Sequence, residues 1–154
     1  MIETPEGGRF DKYGIYVGCP PAPHDDGGPY HRYWHMANMS HFEGERLAMG
    51  YLSIDSHEPT VDELECHPGC AEIFVAIDGT GVIPVCHPDD WDSMGIRYFR
   101  IEKGDAVLIR KGIWHKLPIP DGGCICFLML VPERILGDIT KRKVDPPVQI
   151  YEKV

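Results

Sequence analysis

The chain has 154 residues, is 43% hydrophobic and 25% charged, and carries a formal net charge of −9. Those proportions are ordinary for a soluble globular protein whose single domain encloses a sizeable core. They argue against DNA, RNA or an anionic membrane as partner, because the basic run Lys141–Arg142–Lys143 is too short to form a polyanion surface, and no apolar run approaches the roughly 20 residues of a membrane helix.

The N-terminus, MIETPEGGRF, lacks the basic and apolar parts of a signal peptide. A cytoplasmic protein is expected, with its six cysteines as reduced thiols. Their spacing matches no zinc-finger pattern: Cys66 and Cys70 are four apart, and Cys124 and Cys126 share one face of an expected strand. Residues 1–30, rich in Gly and Pro, are expected to form an arm with one short strand near Tyr13 to Val17. HRYWHMANMS (31–40) and RLAMGYLSID (46–55) follow as strands. VDELECH alternates, with Val61, Glu63, Glu65 and His67 on one face and Asp62, Leu64 and Cys66 on the other.

AEIFVAID (71–78) reads as a strand, and DGTG after it as a hairpin turn. GVIPVCHP follows, with Pro84 arguing for an edge or a bulge. IRYFRI, a tight turn at EKGD, then AVLIR, GIWHKLPI and CICFLMLV complete the strands. The tail after residue 131 holds a helical turn and a last strand. Many short strands at this spacing, with almost no helical periodicity, imply an all-β sandwich or barrel.

Two stretches then fall into one pattern. Gly104, five residues, Arg110, Lys111, Gly112, two residues and His115 resemble the second motif of the cupins, small double-sheet β-barrels, except that Arg110 stands where proline is usual. Glu65-x-His67, Glu72 and Gly79 occupy the frame of the first cupin motif, with Glu65 in place of its first histidine. The resemblance implies a cupin-type double-stranded β-helix, a jelly-roll barrel, with 1–30 as N-terminal arm, 31–131 as barrel and 132–154 as a short C-terminal extension of one domain. Alternate residues of a strand project to one face, about 7 Å apart at Cα. Glu65 and His67 can therefore aim at one point, with Glu72 returning on the next strand and His115 arriving from the other motif. Singly these residues read equally well as solvated carboxylates and a turn histidine; together on one frame they form a site. Two imidazoles and two carboxylates suit a divalent ion such as Mn, Fe, Ni or Zn.

TVDELECHPGCAEIFVAIDG, WHKLP and RYWH with RLAMGYLSI further resemble the ureidoglycolate lyases, with Glu72 where that family tends to have glutamine and Cys66 in place of a basic residue. This implies cleavage of ureidoglycolate to glyoxylate and urea, with Glu65, His67, Glu72 and His115 as metal ligands or acid–base set. A small anionic hydroxy acid needs a cation to hold it. Arg97, expected to point inward, is the first candidate, and Arg32 with Tyr33 the second. Phe74, in phase with Glu72, is expected on the barrel wall beside the substrate, Lys116 on the face opposite His115, and Trp34, Trp91 and Trp114 in packing. A metal-dependent lyase or isomerase of another hydroxy or keto acid, or a non-catalytic small-molecule-binding cupin, would use the same frame. Sheet edges and aromatic residues of the arm suggest a homodimer.

Overall fold

The computed structural model describes residues 1–18, 26–27, 29, 32–33, 37–91 and 95–150, with the backbone alone at 26–27 and 32–33. In chain order the strands are β1 (Ile2–Glu3), β2 (Gly14–Val17), β3 (Asp26–Gly27), β4 (Arg32–Tyr33), β5 (Leu47–Asp55), β6 (Thr60–Cys66), β7 (Glu72–Asp78), β8 (Thr80–Cys86), β9 (Arg97–Glu102), β10 (Ala106–Ile109), β11 (Trp114–His115), β12 (Ile119–Pro120), β13 (Cys124–Pro132) and β14 (Thr140–Gln149). The helical segments among the described residues are three short 3-10 turns, at Ser40–Phe42, Pro88–Asp90 and Ile135–Gly137. No helix there is long and apolar enough to cross a membrane.

Two sheets result. One runs β1-β9-β8-β11-β6-β14, with β12 also paired to β8; the other runs β2-β10-β7-β13-β5. Their inner faces meet in one core. Ile83, Val85, Phe99 and Ile101 come from the first sheet, and Phe74, Ala76, Val107, Ile109, Ile125 and Phe127 from the second. Phe74 meets Phe127 edge-on with centroids 5.6 Å apart, and Phe10 meets Phe99 likewise at 5.2 Å. Such pairs add directional attraction to the area they bury. This is an all-β sandwich, as the strand pattern implies, in the double-sheet jelly-roll form that the cupin resemblance implies.

Several local expectations are corrected. DGTG does not close a hairpin, because β7 and β8 belong to opposite sheets; the tight turn expected at EKGD is present, with the Asp105 N–H donating to the Glu102 carbonyl at 2.9 Å, and it too carries the chain from one sheet to the other. Gly79, at φ 80°, passes so close to the β13 backbone that a Cβ would lie 2.3 Å from the Cys124 carbonyl oxygen, so only glycine can make that corner. Pro84 lies inside β8 rather than at an edge. Its carbonyl accepts from the Lys116 N–H at 3.2 Å, between the pairings of β8 with β11 and with β12. The missing Pro84 donor therefore falls where no partner strand runs. Among the described residues of 31–40, Arg32–Tyr33 form a strand paired to β3, and His31, Trp34, His35 and Met36 lie outside the described residues.

The terminal segments are parts of the sheets. β1 pairs in parallel with β9, while β2 with β10 and β14 with β6 pair antiparallel. The helical turn and last strand expected in the tail are present. Phe10 and Tyr13 of the arm are 0% and 3% exposed, so these aromatics serve the core and lend no support to a dimer surface. Trp91 and Trp114 pack together at 4.9 Å, with the Arg142 guanidinium 4.1 Å over Trp91.

Candidate metal centre

Glu65 on β6 stands directly opposite His115 on β11 in an antiparallel pair, which brings their side chains to the same face as close neighbours. His67 follows one residue past β6, and Glu72 opens β7 on the facing sheet. The intervening Pro68 to Ala71 carries the chain from one sheet to the other. The expected four thus meet at one end of the space between the sheets. His115 Nε2 lies 2.5 Å from Glu72 Oε1 and 3.8 Å from Glu65 Oε1, and His67 Nε2 lies 3.8 Å from Glu72 Oε1. One ligand atom each of Glu65, His67 and His115 falls within 4.8 Å of the others. His67, Glu72 and His115 are buried, and the Glu65 side chain keeps 22% of its exposure.

The second ring nitrogens fix what this cluster offers. His67 Nδ1 is 2.9 Å from the Asp138 carbonyl, and His115 Nδ1 is 3.1 Å from the Ile113 carbonyl. A carbonyl oxygen only accepts, so both Nδ1 atoms carry the proton and donate. Both Nε2 atoms then present lone pairs to the carboxylates, the arrangement that orients metal-binding imidazoles. Glu72 Oε1 and His115 Nε2 are buried against each other at 2.5 Å, and neither has any other hydrogen-bond partner among the described residues. A buried cluster of acceptors facing acceptors needs a positive charge at its centre. Burial opposes charge on His115, but the Glu72 carboxylate, by charge and by hydrogen bonding, outweighs it and raises the imidazole pKa above its ordinary value. A shared proton meets the electrostatic need, and so does a divalent cation of borderline softness, for which two imidazoles and two carboxylates are a fitting donor set.

The tail holds the loop that carries His67. Arg134 Nη2 donates to the Gly69 carbonyl at 2.8 Å and lies 2.5 Å from Glu45 Oε1, while the Gly69 N–H donates to Asp138 Oδ2, also at 2.8 Å. Burial pushes the neighbouring Cys70 thiol up to about 11, reinforced by its hydrogen bond with Asp138. Sequence reasoning missed Arg134 and Asp138, because the contacts that recruit them lie 65 and 69 residues away along the chain.

Outside the cluster, a cleft of about 770 Å³ is lined by Asp62, Glu63, Glu65, Lys116, Lys141 and Lys143 among others. Of the four site residues, Glu65 lines it. Lys116 pairs with Asp62 at 2.7 Å and Lys141 with Glu63 at 3.1 Å. These lysines, two of them in the tail, are the cations the fold sets beside Glu65. The inward orientation expected of Arg97 is corrected. Although Arg97 shares a strand face with Phe99 and Ile101, it is the first residue of β9, and its exposed guanidinium is held by Glu3 of β1 at 2.5 and 2.6 Å. Phe74 is fully buried in the central core against Phe127, so it is wall and core rather than cleft surface. Arg32 and Tyr33 form β4 away from both large sheets, and their side chains lie outside the described residues.

No family model and no curated protein matches the chain. Solved structures do. A structure of CapF with the inhibitor 3-isopropenyl-tropolone is 20% identical, with a TM-score of 0.51 over 62% of this chain and 28% of that one. The oxalate decarboxylase of Lactobacillus farciminis, in complex with formate, is 17% identical, with a TM-score of 0.47 over 66% and 27%. That of Bacillus subtilis, a protein with Mn(II) centres, is 18% identical, with a TM-score of 0.42 over 74% and 26%. The chain thus matches 26–28% of the length of these three proteins. What the likeness to CapF and the two-sheet topology establish together is the fold: this protein is built as a cupin-type jelly roll.

Proposed function

We propose that the protein is a divalent-metal-dependent lyase of the ureidoglycolate lyase type, cleaving the C–N bond of a small anionic α-hydroxy acid. The observation that carries this reading is the pair of imidazoles whose Nδ1 protons are committed to backbone carbonyls, so that both Nε2 lone pairs converge with two carboxylates. His67, His115, Glu72 and Glu65 are the residues that would hold the ion. When bound, the ion would supply Lewis acidity at the substrate hydroxyl and at the carbonyl oxygen that develops from it.

The remaining work falls to the chain's own groups. Lys116 and Lys141 draw the substrate carboxylate into the cleft. Glu65, half in the cluster and half in the cleft, is placed to take the hydroxyl proton. As the C–N bond breaks, its electron pair stays on the ureido nitrogen, which accepts that proton and leaves as urea, while the C–O bond becomes the aldehyde of glyoxylate. Glu72, locked against His115, is a poorer proton carrier than the partly exposed Glu65. The cleft lysines read a carboxylate and not a ureido group, so another hydroxy or keto acid is the competing substrate class. The test is a metal-reconstituted assay of urea and glyoxylate release from ureidoglycolate, run beside a panel of other hydroxy acids. Turnover of a panel member but not of ureidoglycolate would reassign the substrate; saturable binding without product from any of them would reduce the protein to a binding module.

A further inference from the structure

The five cysteines among the described residues form no disulfide, and they fall into two kinds. Cys66, Cys70 and Cys86 are 5%, 2% and 0% exposed, and burial raises the thiol pKa of the first two. Cys124 and Cys126 differ. They project from the outer face of β13, Cys124 exposed and Cys126 half-buried, with their Sγ atoms 3.7 Å apart. Ser53 on the adjacent β5 sits across from Cys126. Its Oγ lies 3.2 Å from Cys124 Sγ and 3.8 Å from Cys126 Sγ. The Tyr51 hydroxyl hydrogen-bonds to Cys126 as well. These contacts, Tyr51 first and then Ser53, hold the Cys126 thiol below its ordinary value against the opposing charge of Asp78.

The sulfur separation is informative. Two thiolates bound to one tetrahedral ion at a Zn–S length of about 2.3 Å stand about 3.8 Å apart, close to the distance found here. Closing the pair into a disulfide is disfavoured, because alternate residues of an extended strand hold their Cα atoms about 6.6 Å apart, near the upper limit a disulfide spans. The pair is thus set at a chelating distance and kept from oxidising onto itself.

We propose that Cys124 and Cys126 form a second metal site on the outer sheet face, a bidentate dithiolate for a soft, thiophilic divalent ion of the zinc and cadmium class. Ser53 offers a hydroxyl donor beside it, and the remaining coordination positions open to solvent. The donor set separates this site from the buried one, since thiolates select soft ions and carboxylate with imidazole selects harder ones. The proposal does not depend on the activity proposed above.

The test is titration of the full-length, phosphine-reduced protein with Cd(II), followed by ultraviolet thiolate-to-cadmium charge-transfer absorption, which carboxylate and imidazole ligation does not produce. A saturating band is expected in the wild type. His67→Ala should keep it, Cys126→Ser should weaken binding at least tenfold, and the Cys124→Ser/Cys126→Ser double variant should lose it. Cd(II) should also slow alkylation of Cys124 and Cys126 in the wild type, a readout that needs no variant to fold. A missing band in the wild type, a band retained in the double variant, or alkylation at these two positions unaffected by Cd(II) would each overturn the proposal.

Discussion

The buried cluster at one end of the sandwich and the dithiol on its outer face gather ligand-type side chains by opposite means. Glu65, His67, Glu72 and His115 come from two sheets, and the two imidazoles are oriented by backbone carbonyls, His115 by Ile113 two residues away and His67 by Asp138 of the tail. Cys124 and Cys126 come from one strand, and strand periodicity alone places them side by side. The first arrangement is largely buried, which magnifies the charges inside it. The second remains solvated. The contrast teaches that pre-organisation here is a tertiary property: the cluster depends on the whole fold, whereas the dithiol needs little more than β13 and its neighbour β5.

The comparison can be broken most sharply at the cluster. His67→Ala or His115→Ala should abolish turnover while circular dichroism stays that of the folded protein; activity retained in both would reject the site. Glu65→Gln should lower kcat by roughly 10²–10⁴-fold, the range of a lost general base, and a drop confined to KM would assign Glu65 to binding instead. Arg134→Ala should cost about 10–100-fold in metal affinity by releasing the Gly69 loop, in line with changes to groups that orient metal ligands; unchanged affinity by calorimetry would show that the loop holds its place without the tail. Lys116→Ala should lower kcat/KM by roughly tenfold or more, since hydrogen bonds to charged groups contribute about 1.5–3 kcal/mol.

The smallest effect sharpens the contrast from the other side. Mn(II) at a hundredfold excess over its Kd should stabilise the protein by about 2.7 kcal/mol, a Tm rise of roughly 5–10 °C for a chain of this size. Cys124→Ser/Cys126→Ser should leave that rise unchanged. A rise reduced in the double variant would mean that the two regions are one site.

Much of the fold was legible because strand signals are local. β5 through β10 and β13 fall where alternating apolar residues and turn residues place them. The four site residues were legible because i, i+2 spacing and the two glycine-punctuated motifs bring chemistry-bearing side chains to one face. What was not legible depends on which strands pair. DGTG looks like a hairpin turn in isolation, yet it joins strands of opposite sheets, as the tight turn at EKGD also does. Arg97 has the parity of an inward residue, but its position at the start of β9 beside Glu3 gives its charge a partner at the sheet's edge. The role of the tail was hidden for the same reason.

The amino-acid order by itself determined the strand content, the glycine corners and the four side chains with ligand chemistry, because each follows from backbone sterics and from periodicity over a few residues. Only the tertiary structure decided which imidazole nitrogen faces the cluster, which cations line the cleft and which tail residues brace the His67 loop. Apart from the Ile113 carbonyl, two residues from His115, those depend on atoms separated by dozens of residues meeting at hydrogen-bond distance, and no short-range pattern in the chain encodes that meeting.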